Sequence, residues 1–222
     1  FLELFPNRNE LRLLKVELLI KNKEHYLAQE EINTARNLYN AEEWELAIWQ
    51  ARIYEESGER DKVIETLEKA ANARPDSYEI NFELAQNFSK GRAPTRAIEY
   101  YERALICRNT AAARNNLGQE LSKACDTKKG LRNLSIAVEL DPDLRQARHN
   151  MCLYSHYSSD ISNGEISSIH KQYGRWALGH YDQITDDQLH SDRNELIHVG
   201  FVSPDLHHHS VAQFLLPLYR CL

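Results

Sequence analysis

Apolar side chains recur at helical spacing along most of the chain, and this pattern repeats at intervals of 34 and then 33 residues. Three segments, 61–75, 95–109 and 129–142, align with one another, and a further helical pattern precedes each, at 44–58, 78–91 and 112–124. The aligned positions are Val63, Ala97 and Gly130, then Leu67, Tyr101 and Leu134, then Ala70, Ala104 and Ala137. A period of this length is typical of stacked helical hairpins.

Small residues and prolines occur at the positions where such a hairpin requires them. Ala51, Ala85 and Gly118 fall where the first helix must approach the second closely. Pro75 and Pro142 end the second helix, because proline lacks an N–H and disfavours the helical conformation of the residue before it. A single hairpin cannot bury its apolar face, so the hairpins are expected to stack.

The repeat extends beyond the three clear units in both directions. Residues 9–43 form a degenerate unit in the same phase, without the closing proline, and 145–157 forms the first helix of a further unit. The expected positions of the degenerate unit are taken by Val16, Leu19, Ala28, Ile32 and Ala35. The pattern therefore predicts one repeat array over 9–157.

This pattern resembles the tetratricopeptide repeat, most closely in the last full unit. The signature positions there are held by Leu117, Gly118, Leu121, Gly130, Leu134, Ala137 and Pro142. The resemblance implies a mainly α fold, an α-solenoid whose first helices line a concave surface that holds a peptide. The alternative interpretation is an unrelated helical bundle.

Two asparagines lie at equivalent positions of successive first helices. Asn116 and Asn150 are 34 residues apart, and Trp49 and Glu83 hold the corresponding positions of earlier units. A carboxamide donates and accepts hydrogen bonds together, so it can pair with an extended backbone whatever its sequence. Asn116 and Asn150 are therefore predicted substrate-binding residues, forming a short ladder; the alternative is that both are ordinary solvated side chains.

Residues 158–196 carry a helix followed by a linker. Ser162 and Glu165 form a capping box, and the apolar residues that follow them recur at helical spacing, which predicts a helix start. His170 and His180 lie in or at the end of this helix, with no third ligand at matching spacing. No metal site is predicted.

The periodicity changes in 197–222. The run 197–203 predicts a buried strand, the loop that follows contains three histidines, and Ser210 with Gln213 caps a helix. A strand, a short loop and a helix form the first unit of an open α/β sheet, where ligands sit at the carboxyl ends of the strands.

This terminal segment resembles the start of the catalytic domain in glycosyltransferase family 41, the protein O-linked N-acetylglucosamine transferases and their Spindly-like relatives. The strand and loop positions of the family are held by Gly200, Phe201, Val202, Ser203, Asp205 and Leu206, and its histidine position by His209. The passage before it, from about residue 148, also resembles the family, although Leu206 replaces an aromatic residue and His207 and His208 stand where small or basic residues are common. The resemblance implies a fold class of repeat solenoid followed by the first strand and helix of a truncated α/β lobe of the GT-B type.

The resemblance also implies an activity for the parent protein. Members transfer N-acetylglucosamine, or fucose in Spindly-like plant proteins, from a nucleotide sugar to Ser or Thr of proteins, without a metal or other cofactor. His209 is the candidate catalytic residue, as a base or in acceptor positioning. The 26 residues of 197–222 are far fewer than the roughly 100 of one complete lobe. We therefore expect a fragment, inactive alone, whose donor, UDP-GlcNAc or GDP-fucose, needs the missing lobe.

Composition narrows the class of partner. The net charge of -6 disfavours a nucleic-acid binder, and no apolar run reaches the ~18 residues of a membrane span. Four cysteines without CxxC spacing or a signal peptide indicate a cytoplasmic protein. The expected partner is an acceptor protein or peptide, and the repeats also offer a surface for self-association. The alternative function is a non-enzymatic repeat scaffold for protein–protein interaction.

Overall fold

The computed structural model describes residues 9–39 and 43–180. Within these ranges the regular secondary structure is all α-helical. The helices are α1 (Asn9–Lys21), α2 (His25–Tyr39), α3 (Glu43–Glu56), α4 (Arg60–Ala73), α5 (Tyr78–Lys90), α6 (Pro94–Cys107), α7 (Ala111–Lys123), α8 (Thr127–Leu140), α9 (Arg145–Ser155) and α10 (Asn163–His180). The strand and helix predicted in 197–222 lie outside the described residues.

Consecutive helices pair into hairpins that stack in chain order. The hairpins are α1–α2, α3–α4, α5–α6 and α7–α8, and the second helix of each packs on the first helix of the next, ending with α8 on α9. The degenerate first unit is a hairpin like the others: Val16 and Ile32 are fully buried at its centre. The predicted helical solenoid is confirmed for the described residues.

One residue in each hairpin turn adopts a left-handed backbone conformation. Lys23, Gly58, Arg92 and Cys125 have φ angles of 62°, 74°, 56° and 67°. This conformation costs a non-glycine residue free energy, and glycine occupies it without that penalty. The packing of the helices therefore imposes the repeated turn geometry. The turn keeps this geometry even where its left-handed residue is a lysine, an arginine or a cysteine.

Proline ends two of the second helices, as predicted, but two residues earlier than the sequence pattern indicated. Helix α4 ends at Ala73 and α8 at Leu140. The residues before the prolines, Arg74 and Asp141, have left the helical conformation, with ψ angles of 73° and 93°. The clash of a proline ring with the preceding residue favours this non-helical conformation, and α6 ends at the equivalent Cys107 without a proline.

Side-chain caps fix the first turn of several helices. The Thr110 hydroxyl accepts a hydrogen bond from the Ala113 N–H at 3.2 Å, at the start of α7. At the start of α10 the predicted capping box is confirmed: the Ser162 N–H donates to the Glu165 carboxylate at 2.8 Å, and the Glu165 N–H donates to the Ser162 hydroxyl at 3.3 Å. These bonds satisfy N–H groups that have no partner inside their own helix.

Through Gly179 the described residues belong to one compact unit. None of the helices in the described part of the chain combines the length and the apolarity needed to cross a lipid bilayer.

Candidate functional site

The first helices of successive hairpins form the inner side of the stack. Helix α1 contacts α3, α3 contacts α5, and α7 contacts α9, whereas successive second helices among the described residues make no comparable contacts. In a curved stack the elements on the inner side approach one another and those on the outer side spread apart. The first helices therefore line the concave surface on which solenoids bind their partners.

The structure brings Asn116 and Asn150 together through a third asparagine. The Asn150 Nδ2 donates to Asn115 Oδ1 at 2.9 Å, and the Asn115 Nδ2 donates to Asn116 Oδ1 at 3.1 Å. We call these three residues the amide cluster. It connects α9 to α7 at the position where the sequence predicts a ladder.

The members of the amide cluster differ in their access to solvent. Asn150 is 2% exposed and Asn115 is 5% exposed, so both lie within the packing between the two helices. Asn116 is half-buried. Of the two predicted ladder residues, Asn116 therefore reaches the surface, and Asn150 is placed to orient it through Asn115.

Further hydrogen bonds extend the cluster at both ends. The Asn116 Nδ2 donates to the Tyr101 hydroxyl at 3.2 Å, and the Gln146 Nε2 donates weakly to Asn150 Oδ1 at 3.5 Å. Burial raises the pKa of Tyr101 above its ordinary value, with the bond from Asn116 opposing the shift. Tyr101 is thus a neutral phenol near pH 7, and its oxygen acts as an acceptor.

The bonds that Asn116 makes leave it capacity for a ligand. A carboxamide carries two N–H donors and two acceptor lone pairs. One donor is used on Tyr101 and one lone pair on Asn115. The other donor and the other lone pair have no partner among the described residues, so they can pair with one N–H and one C=O of an extended backbone.

The equivalent positions of earlier units carry different chemistry. The Arg52 guanidinium pairs with the Glu83 carboxylate at 2.8 Å and lies 4.8 Å from the centre of the Trp49 ring. Together with Glu17, Lys21 and Gln86, these three residues line a cleft of about 290 Å³ between α1, α3 and α5. We call Trp49, Arg52 and Glu83 the charged cluster.

Two residues of the site were missed by the sequence reasoning. Asn115 precedes a predicted ladder residue, but nothing in the period marks it as a link between helices. Arg52 follows Trp49 at a spacing of three residues on α3, and its partner Glu83 lies on α5. Asn115 and Asn116 stand where the preceding unit has Phe82 and Glu83. Two adjacent asparagines at these positions were the signal in the sequence that could have identified Asn115.

Two further predictions concern a catalytic histidine and metal binding. His209 and the rest of 197–222 lie outside the described residues, so its catalytic role stays a prediction. Among the residues that the structure describes, no group of three or more His, Cys, Asp or Glu side chains is arranged to hold a metal ion.

Comparison with known proteins identifies the fold. No protein-family model matches the chain. The structure is similar to YrrB, described as a TPR protein with an unusual peptide-binding site, with a TM-score of 0.61 and 18% identity over 81% of this chain and 91% of that chain. It is also similar to an O-GlcNAc transferase of Thermobaculum terrenum, with a TM-score of 0.57 and 21% identity over 79% of this chain and 34% of that one. The described fold is a tetratricopeptide-repeat-like solenoid.

A curated relative matches a shorter segment. A protein of Hordeum vulgare named "Probable UDP-N-acetylglucosamine--peptide N-acetylglucosaminyltransferase SPINDLY" is 34% identical over 79 residues. The match covers 35% of this chain and 8% of the relative. It indicates a relationship between one segment of each protein.

Proposed function

We propose that the inner face of the solenoid binds a polypeptide in an extended conformation. The observation that carries this proposal is the hydrogen-bonding state of Asn116. Its carboxamide is held between Asn115 and Tyr101, yet keeps one donor and one acceptor for a ligand. A donor and an acceptor on one rigid side chain match the alternating C=O and N–H groups of an extended backbone. Such a contact holds a chain without selecting its side chains.

The charged cluster supplies the selectivity that the amide cluster lacks. Its cleft presents an indole ring, a guanidinium and carboxylates along α1, α3 and α5. An aromatic or aliphatic side chain of the ligand can lie against Trp49, and charged side chains can exchange partners with Arg52 and Glu83. The same extended ligand would pass over both clusters, since both lie on the first helices.

The finer proposal is that the bound polypeptide is the acceptor of a protein O-glycosyltransferase. The identity of 34% to the Hordeum vulgare relative and the structural similarity to the bacterial O-GlcNAc transferase support it. The transferred sugar would be N-acetylglucosamine or fucose, delivered from a nucleotide sugar. His209 would act in that reaction as a base or in acceptor positioning.

A non-enzymatic scaffold is the second candidate. The similarity to the peptide-binding protein YrrB covers 91% of that chain, against 34% of the bacterial transferase chain. In this case the solenoid would hold its partner without any sugar transfer.

Binding tests the first proposal. Fluorescence anisotropy with labelled, extended peptides rich in Ser and Thr measures affinity for the chain. We expect Asn116→Ala to weaken binding about thirtyfold, because the variant loses two hydrogen bonds of about 1 kcal/mol each. Asn72→Ala, at an exposed position on the second helix α4, is the matched control and should leave the affinity unchanged. Equal affinities of the wild type and Asn116→Ala would contradict the proposed contact between Asn116 and the ligand backbone.

Transfer distinguishes the two candidates. The longest product of the gene that encodes this chain is incubated with UDP-GlcNAc or GDP-fucose and a peptide that binds the solenoid, and mass spectrometry follows the peptide. Addition of a sugar supports the transferase, and binding without addition supports the scaffold. The isolated 222-residue chain should bind the peptide and transfer nothing.

A further inference from the structure

Helix α10 is held on the solenoid differently from the other helices. None of its residues is buried. Its side chains Ile169 and Tyr173, with Met151 of α9, line a groove of about 220 Å³ between α8, α9 and α10. Because none of its residues is fully buried, directed contacts contribute to the docking of α10.

A pair of histidines makes one of these contacts. His156 is the C-cap of α9, and His170 lies in the second turn of α10. Their Nε2 atoms are 2.9 Å apart, and the ring planes are inclined by 63° with centroids 5.1 Å apart. Both side chains are exposed, so ions in solvent can reach them. Between two neutral rings one Nε2–H donates and the other Nε2 accepts.

The separation of these two nitrogens fits a metal ion. With metal–nitrogen bonds of about 2.05 Å, two neighbouring ligands are about 2.9 Å apart at a right angle and about 3.3 Å apart at the tetrahedral angle. The two Nε2 atoms therefore need to move apart by at most about 0.4 Å, and each ring must turn by about 35 to 45° so that both lone pairs point at one ion instead of at each other. Exposed histidine rings have that freedom.

We propose that His156 and His170 form a two-histidine site for a divalent first-row transition ion. Imidazole suits Zn²⁺, Cu²⁺ and Ni²⁺. Water completes the coordination, because no third His, Cys, Asp or Glu among the described residues clusters with the pair. The sequence pattern does not reveal the site, because His156 lies at the end of α9 and His170 in α10, and they come together only through the path of the loop between the two helices.

The proton balance of binding follows from the tautomers. Both Nε2 atoms become ligands, so the ring that carried its proton on Nε2 must carry it on Nδ1 instead. Two neutral rings bind the ion without releasing a proton. A ring that is doubly protonated releases one, so acid weakens binding.

The ion would fasten α10 to the end of the repeat array. It links the C-terminus of α9 to the second turn of α10 across the intervening loop. An ion that binds only the docked state of α10 shifts the equilibrium between the docked and undocked states toward the docked state. The consequence is a helix whose docking responds to the concentration of the metal.

Hydrogen exchange tests the proposal locally, in the full chain. Addition of ZnCl2 at ten times its dissociation constant should slow amide exchange in α10 about tenfold, with MgCl2 as the ionic control. His156→Ala and His170→Ala should abolish the slowing. His149→Ala, at an exposed position on α9, should retain it.

Other histidines bind zinc as well, so the readout is confined to α10. A triple variant, His207→Gln, His208→Gln and His209→Gln, should keep the full response. His170→Cys should restore it, since a thiolate is also a zinc ligand, even if His170→Ala undocks the helix before zinc is added. Exchange that millimolar ZnCl2 leaves unchanged, or slowing that persists in both alanine variants, would overturn the proposal.

Discussion

The amide cluster and the charged cluster are built around equivalent positions of the repeat, Asn116 and Asn150 in one and Trp49 and Glu83 in the other, but they use different chemistry. Asn150 and Asn115 are almost completely buried, and each donates one hydrogen bond and accepts another, whereas Arg52 and Glu83 keep 38% and 20% of their side chains exposed. Salt screens interactions between exposed charges but not hydrogen bonds between buried neutral amides. A ligand over the amide cluster should therefore be held at any ionic strength, and one over the charged cluster selectively at low salt.

The packing beneath the two clusters also differs. Under the amide cluster, α7 and α8 approach closely because Gly118 and Gly130 face each other: a Cβ on Gly118 would lie 2.7 Å from the Gly130 carbonyl oxygen. Under the charged cluster the equivalent positions carry Ala85 and Ala97, both fully buried. The amide cluster thus rests on the more closely approached helix pair, which fixes the position of Asn116 on α7.

The largest expected effect comes from disturbing that close approach. Gly118→Ala should lower the free energy of unfolding by about 2 to 3 kcal/mol, because the backbone of α8 cannot rotate away from the added methyl group. Urea denaturation measures the change. Gly174→Ala is the matched control: a Cβ there meets nothing within 4 Å, so the helix propensity of alanine should raise stability by about 0.5 to 1 kcal/mol. Changes of the same sign in both variants would contradict the close approach.

A smaller effect is expected from opening the amide cluster. Asn150→Ala leaves Asn115 Oδ1 without its donor inside the packing of α7 and α9, which should cost about 1 to 2 kcal/mol of stability. Chemical denaturation in parallel with Asn72→Ala, on the exposed face of α4, isolates the effect of burial. If both variants unfold at the same urea concentration, Asn150 is a solvated residue.

The sequence alone predicted the parts of this structure that depend on period. The small residues Ala51, Ala85 and Gly118 recur in register, as do Ala70, Ala104 and Ala137, so the hairpins and their order were predictable. The left-handed turn residues were not, because Lys23, Arg92 and Cys125 adopt a conformation that their own preferences disfavour and that the surrounding helices impose.

The candidate site was predictable in position but not in connectivity. The register identified Asn116 and Asn150 as equivalent, yet the bond between them runs through Asn115, whose role depends on how closely α7 and α9 approach. The contact of His156 with His170 depends likewise on the path of a loop. Contacts between elements carry no periodic signal, so they escape a search for repeats.

The smallest expected effect lies in the charged cluster. A double-mutant cycle of Arg52→Gln and Glu83→Gln should give a coupling energy of about 0.5 kcal/mol at low salt, because both side chains are partly solvated. In 1 M NaCl, where the screening length is about 3 Å, the coupling should fall toward zero. The corresponding cycle of Asn115→Ala and Asn116→Ala serves as the control, since a bond between neutral amides should keep its coupling at both salt concentrations. If both coupling energies fell equally with salt, the proposed difference in salt sensitivity between the charged cluster and the amide cluster would be wrong.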